Sequence, residues 1–290
     1  MRLPWMLGLL PLSLLALGSC CAQEGARPPE TQRGELVVPF VRTHERLVHQ
    51  MLDLGAVTGN DVLYDLGCGD GRIVITAAAE RGTRGVGVDI DPKRIAESRE
   101  NARKAGVTAR VRFFEQDLFE TDVREATVVM LYLLPEVNLK LRPMLLRDLQ
   151  PGTRLVSHEF DMREWRPDRT VEVGGSTMYL WVIPARVEGT WALRTSGAGE
   201  LQQGVLSLHQ HFQEVSGSVR IGEREVPLED VALTGVKLTF LVQHEGSALR
   251  FHGQIGGDTL RGTIAPTSVD GEERIWTATR QTAGEGAQQR

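Results

Sequence analysis

Cysteine is scarce in this chain, with three in 290 residues. Cys20 and Cys21 are adjacent near the N-terminus and Cys68 sits inside a glycine-rich stretch. Thiols so placed build no disulfide framework and no paired-cysteine zinc site. Lysine is scarce as well, and a net charge of -5 leaves no basic stripe for wrapping nucleic acid. No G-K-S/T follows the glycines, which excludes a phosphate-binding P-loop. The dinucleotide fingerprint G-x-G-x-x-G is missing too, because the third glycine comes one place early and Arg72 stands where the last one belongs. His209 and His211 alternate along one strand face with no third ligand in view, the pattern of a solvated strand, so no metal is expected. What remains is ordinary globular material, 41% hydrophobic and 24% charged, long enough for one large domain or two ordinary ones.

The N-terminus departs from that composition. Arg2 precedes an apolar run from Leu3 to about Leu17 that ends in small residues. This is the pattern of a secretory signal, and it is slightly short for a spanning helix. Leu17-Gly18-Ser19-Cys20 resembles the lipobox of bacterial lipoproteins, in which the cysteine is lipidated and becomes the mature N-terminus. The expected localisation is therefore exported and membrane-anchored or periplasmic. Cleavage after Ala22 and an uncleaved anchor with the rest inside the cell are the alternatives. Residues 21–36 are rich in Glu, Arg, Pro and Gln and read as a solvated tether.

Beyond the tether the chain has two halves with different periods. Over residues 37–185 short apolar runs alternate with helical stretches. Val62–Leu66, Gly85–Val88, Val111–Phe114, Thr127–Leu131 and Thr153–Val156 are expected strands. Arg72–Arg81, Pro92–Ala105 and Glu136–Leu149 are expected helices, with Asp91-Pro92 as a start signal and Gly82 and Gly106 as stops. Strands alternating with helices imply an α/β domain with a parallel sheet covered on both faces, closed by a last strand, Met178–Ile183, at the sheet edge. After Pro184 the helical period vanishes. Segments such as "VEGTWALR", "GVLSLHQHF", "ALRFHGQI" and "RIWTATR" alternate and are separated by turn residues. They predict an all-β domain over 186–281, a small barrel or sandwich of about seven or eight strands, then a disordered tail over 282–290. Trp191 and Trp276 read as its core residues. The module's rhythm resembles small lipocalin-like or avidin-like barrels, suited to holding a partner, an apolar ligand or a substrate chain.

The stretch "VLYDLGCGDGRIVI" is a strand feeding a glycine turn into a helix, which lets backbone approach a ligand closely. Its arrangement D-x-G-x-G-x-G, Asp65 with Gly67, Gly69 and Gly71, resembles the first motif of class I S-adenosylmethionine-dependent methyltransferases, with their Rossmann-like fold. Later landmarks follow in order: Asp89 in "GVGVDIDP", Asp117 in "FFEQDLFE", and "TVVMLYLLPE" as the fourth strand. The resemblance implies S-adenosyl-L-methionine as cofactor. Asp65 would order the loop and the methionine amine, Asp89 would hold both ribose hydroxyls, and Asp117 would contact the adenine amino group. Cys68 reads as a small residue packed under the loop.

Methyl transfer from a sulfonium is an in-line displacement that needs alignment and dryness more than a dedicated base. "LYLLPE" is not Asn/Asp-Pro-Pro-Tyr/Phe, which argues against amide or base-amine acceptors. The stretches "VPFVRTHERLVHQML", "RVRFFEQDLFE", "VVMLYLLPEVNLKL" and "WRPDRTV" resemble the lysine methyltransferase family that includes the mitochondrial enzyme for the ATP-synthase c-subunit and its prokaryotic relatives. That resemblance spans about residues 37–185 and implies a protein lysine as acceptor. Thr43 and Glu45, in a cofactor-covering segment, are expected at the methionine end, unless Thr43 is a helix N-cap. Tyr132 and Leu133 after the fourth strand, with His158 and Glu159 after the fifth, are the acceptor-channel candidates. An exported, non-catalytic ligand-binding lipoprotein and a small-molecule methyltransferase with an apolar acceptor are the competing functions.

Overall fold

The computed structural model of the chain describes residues 42–196, 202–267 and 273–281. The expected signal peptide with Cys20, the tether, the start of the covering segment and the C-terminal tail lie outside the described residues. No helix of the described residues is long and apolar enough to cross a membrane.

The first element is a helix, α1 (Glu45–Leu54), which buries Val48, Met51, Leu52 and Leu54. The spacing of those four is one helical face. Its N-cap is His44, whose side chain accepts from the Arg46 amide, so Thr43 is not the cap. Then come β1 (Val62–Leu66), α2 (Arg72–Arg81), β2 (Arg84–Asp89), α3 (Pro92–Lys104), β3 (Val111–Glu115), β4 (Val128–Leu131), α4 (Pro135–Asp148), β5 (Arg154–His158), β6 (Arg169–Val173) and β7 (Ser176–Val182). Their sheet runs β3-β2-β1-β4-β5-β7-β6. It is parallel from β3 to β5 and antiparallel beyond.

β1 is buried along its whole length. Leu63 joins the core beneath α1, α2 and α3, whereas Val62, Tyr64 and Leu66 join the core beneath α4. The chain leaves β1 for β2 on one side, and β4 pairs on the other. The strand order reverses between β1 and β4, and the carboxyl ends of strands at such a reversal are where open α/β sheets form the crevice that binds ligands.

The expected edge position of the 178–183 strand is corrected: β6 lies outside it. β6 and β7 form a hairpin closed by Gly174 and Gly175, both at positive φ, a Gly-Gly turn that only glycine adopts without strain. β6 is largely exposed, so its polar sequence hides it from a search for apolar runs.

The C-terminal half has nine strands, more than the seven or eight expected: β8 (Gly189–Thr195), β9 (Gln203–His211), β10 (Glu214–Ile221), β11 (Arg224–Pro227), β12 (Glu229–Thr234), β13 (Lys237–His244), β14 (Ser247–Gly256), β15 (Thr259–Pro266) and β16 (Arg274–Arg280). They form one antiparallel sheet ordered β11-β10-β9-β8-β16-β15-β14-β13-β12. The sheet rolls up, and the Leu228 amide between β11 and β12 donates to the Gly217 carbonyl of β10 at 2.9 Å. The interior is filled by Trp191, Trp276, Phe240 and Phe251, all fully buried. Phe240 stacks on Phe251 at 4.6 Å and both meet the Trp276 ring edge-on. This is the core role expected of Trp191 and Trp276.

The tip of the β9–β10 hairpin carries Phe212 at φ 55, a left-handed conformation that costs a bulky residue about 1 kcal/mol or more. Its ring stacks on Trp165 at 5.8 Å, and the Arg142 guanidinium of α4 sits over it at 5.4 Å. Beside it the Gln213 amide donates to the Arg166 carbonyl at 2.6 Å. These contacts outweigh the strain and fasten the barrel to the segment that follows β5. Phe212→Ala is therefore expected to destabilise the protein by roughly 1–2 kcal/mol in denaturant melts, and Phe212→Tyr by far less. An unchanged midpoint for the alanine variant would show that the ring braces nothing.

Candidate functional site

The glycine loop starts where β1 ends. The Gly67 and Cys68 amides both donate to the Val88 carbonyl, at 2.8 and 2.9 Å, and the Gly69 amide donates to Asp89 Oδ2 at 2.9 Å. Asp89 Oδ1 accepts from the Asp91 amide at 3.0 Å. The loop is thus knitted to the end of β2 through one carboxylate. Gly67, Gly69 and Gly71 have φ of 87, 51 and 79 degrees. A Cβ at Gly71 would lie 2.8 Å from both Phe113 and Ser98, and one at Gly67 would lie 2.7 Å from Leu133. Conformation favours glycine at all three positions, and at Gly67 and Gly71 space demands it as well.

Cys68 is buried, with its sulfur 2.8 Å from where a Cβ on Gly87 would stand. Burial pushes its thiol pKa up, so it is packing material and not a nucleophile, as expected. Asp65 is buried directly beneath the loop. Its pKa is pushed up to about 8, first by burial and then by the charges of Asp89 and Asp70. A cationic ligand group reaching it would reverse that shift.

Arg72, the residue that breaks the dinucleotide fingerprint, has a structural task of its own. Its Nε donates to Asp70 Oδ1 at 2.9 Å and its Nη1 to the Thr43 carbonyl at 2.6 Å. Asn101 of α3 donates to the Asp70 carbonyl at 3.0 Å. The segment before α1 is thereby tied to the loop. Thr43 is buried at this junction, while Glu45, one turn into solvent, is exposed. The role of Arg72 was hidden in the sequence because its partner lies 29 residues upstream.

Asp117 caps a short 3-10 turn over Leu118–Glu120, accepting from the Phe119 amide at 2.9 Å. Ile90, after Asp89, and Phe119 are 59% and 40% exposed, unusual for side chains of their size. Apolar surface therefore flanks both acids.

On the other side of the crevice, β4 and β5 end side by side. The structure brings three of the four acceptor candidates together. The Tyr132 and His158 rings lie 4.1 Å apart, and Glu159 Oε1 stands 3.5 Å from His158 Nε2. Leu133 turns instead toward Gly67. His158 is buried and neither ring nitrogen makes a hydrogen bond. Burial lowers its pKa, only partly offset by Glu159, so the imidazole is neutral at pH 7. Glu159 is held at φ 68, with its amide bonded to the Thr177 carbonyl at 2.7 Å. Beneath them Asn138 of α4 donates to Ser157 Oγ and the Phe160 carbonyl, each at 3.2 Å. Asn138 is fully buried, and a polar residue in an otherwise helical apolar face was the available signal for it. His209 and His211 are exposed on β9, and no group of metal-ligating side chains occurs among the described residues.

A family model, the ANTKMT methyltransferase domain, matches residues 65–169. A protein-lysine N-methyltransferase of Saccharolobus islandicus (strain REY15A) is 47% identical over 151 residues, which are 50% of this chain and 94% of that protein. The lysine N-methyltransferase of the ATP synthase c-subunit from Mus musculus is 33% identical over 124 residues, 43% of this chain and 50% of that protein. A crystal structure described as an RNA methyltransferase from Salinibacter ruber, bound to S-adenosyl-L-homocysteine, is 56% identical, covers 51% of this chain and 96% of its own, and superposes with a TM-score of 0.50. The glycine loop tied to Asp89 and these likenesses agree: the chain belongs to the family of S-adenosylmethionine-dependent protein-lysine methyltransferases.

Proposed function

We propose that the protein transfers the methyl group of S-adenosylmethionine to a lysine amine of a protein acceptor. The observation that carries this is a knitted glycine loop at the end of β1 together with a buried His158, neither ring nitrogen hydrogen-bonded, at the end of β5 in the same sheet. Asp89 would hold the ribose hydroxyls, Asp65 would face the methionine ammonium, and Asp117 would contact the adenine, with Ile90 and Phe119 supplying apolar surface beside it. Thr43, tied to the loop through Arg72, and Glu45 at the start of α1 would stand at the methionine end. The acceptor amine enters between Tyr132, His158 and Glu159. A lysine arrives as an ammonium and must lose a proton before it can attack. Neutral His158 accepts that proton, Glu159 stabilises the imidazolium, and the free amine then displaces the sulfonium methyl in line. S-adenosylmethionine would supply the electrophilic methyl group, with S-adenosylhomocysteine and a methylammonium as products.

The lysine names of the relatives and the burial of His158 support an amine acceptor. The non-catalytic reading finds no support in these three relatives, each of which is named as a methyltransferase. The test uses cofactor labelled in its methyl group, with cell extract as acceptor. Label should appear in protein and, after acid hydrolysis, in methyl-lysine. Label confined to RNA, the acceptor in the name of the Salinibacter ruber protein, would overturn the proposal. His158→Gln should lower turnover by about 100-fold at pH 7 and leave cofactor affinity unchanged, since general-base contributions are typically of that order. Part of the lost activity should return above pH 9, where more of the lysine is already deprotonated. A uniform loss at every pH would assign His158 to packing.

A further inference from the structure

The outer face of β8, β16, β15, β14 and β13 carries cations and no carboxylate. Alternate residues on each strand fill the barrel core, and the intervening ones face outward. Among those outward positions stand Arg194, Arg261, Arg250 and Lys237, together with His252. Neither Asp nor Glu occurs there, in a chain whose net charge is -5. Arg250 is 4.0 Å from Asp230 of β12, two strands away, whereas Arg194, Arg261 and Lys237 are exposed and make no ion pair with a described residue.

The register puts those three on one rung. Arg194 pairs with Thr277, Thr277 with Arg261, Arg261 with Gln254, and Gln254 with Lys237. Strands lie about 4.8 Å apart, so the rung is about 19 Å long with a cation roughly every 10 Å. Between the cations the rung offers a threonine hydroxyl and a glutamine amide. The neighbouring rung offers Ile275, 62% exposed, beside Thr263 and His252. Like charges held apart by about a Debye length repel weakly, so the row costs little when free and gains when a polyanion neutralises it.

We propose that this face docks an acidic segment of a protein partner. The face has no outward Phe, Tyr or Trp and a single imidazole, His252, so it lacks the series of stacking rings that single-stranded nucleic acid uses. It also lacks the dense basic cluster and the aromatic anchors of a membrane-surface site. Carboxylates spaced along an extended chain match the cation spacing, and the threonine and glutamine donors suit them. The barrel interior is packed with aromatic rings, so its binding capacity lies on the outside, contrary to an apolar ligand held within.

The test is fluorescence anisotropy of labelled poly-L-glutamate with the full chain. Arg194→Gln/Arg261→Gln/Lys237→Gln should weaken binding about tenfold, the sum of three modest surface contacts. The control Arg112→Gln/Arg220→Gln/Arg224→Gln makes the same charge change elsewhere and should leave binding within about twofold. Both variants must keep the parent melting temperature, which surface substitutions do. Equal loss in the two variants, or no binding by the parent chain, would overturn the proposal. So would tighter binding to poly(U) RNA or to phosphatidylglycerol vesicles that the first triple variant removes. None of these readouts depends on methyl transfer, so the docking face can fail while the enzymatic reading stands.

Discussion

Asp89→Ala will weaken S-adenosylmethionine binding by at least about 100-fold in calorimetry, and methyl transfer will fall with it. Two losses add. The proposed ribose contacts are charge-assisted hydrogen bonds, each worth roughly 1.5–3 kcal/mol when buried. The carboxylate also receives the Gly69 amide at 2.9 Å and the Asp91 amide at 3.0 Å, so its removal releases the middle of the loop and the start of α3. Asp89→Asn separates the two effects. It keeps one carbonyl acceptor for an amide but cannot take both hydroxyls, so it should retain the fold and lose an intermediate part of the affinity. Unaltered affinity in Asp89→Ala would remove Asp89 from the site and place the ligand elsewhere.

The glycine loop and its acid are legible in the residues alone, because the loop obeys local rules. Positive φ at alternate positions needs glycine, and an acid at the end of the next strand is within reach of the loop by strand geometry. The helix α2, read as Arg72–Arg81, has those bounds, because Gly71 and Gly82 both flank it at positive φ. What escaped was set by distant contacts. α1 carries a clear apolar face, yet its start is fixed by His44, an uncommon cap, and by Arg72 holding the Thr43 carbonyl. β6 is polar because it is a sheet edge, and only its Gly174-Gly175 turn betrays it. Tyr132, His158 and Glu159 could be nominated from their places after two strands. The absence of partners for both His158 nitrogens is a property of the packed structure alone. Phe212 is the clearest case: nothing in "HQHFQE" announces a ring that stacks on Trp165, 47 residues upstream by sequence number.

The fate of Asp65 gives the second large effect, and it runs in opposite directions for stability and for binding. Its pKa is pushed up to about 8 by burial, with Asp89 and Asp70 adding, against about 3.9 in an unfolded chain. Between those values the folded protein binds a proton that the unfolded chain does not. The contribution of Asp65 to stability therefore falls as the pH rises from about 4 to about 8, and comparison with Asp65→Asn isolates it from opposing groups such as His158. Asp65→Asn carries no proton to lose, so it should be more stable than the parent at pH 8, with the difference shrinking toward pH 4. For the ligand the sign reverses. S-adenosylmethionine brings an ammonium and a sulfonium, which favour the ionised carboxylate and expel its proton. Affinity of the parent should rise nearly tenfold per pH unit from about 6 and level off near 8. Binding at pH 7 should release close to one proton, seen as a heat that changes between two buffers of different ionisation enthalpy. Asp65→Asn should bind more weakly at pH 8 and show neither the pH slope nor the buffer dependence. A variant that gained stability and kept its affinity would show that the carboxylate is buried for some purpose other than the cofactor's charge. Above about pH 8 the ionised Asp65 costs folding stability, and either a proton or a cationic group beside it offsets that cost, so the carboxylate that weakens the fold at high pH would favour a positively charged ligand.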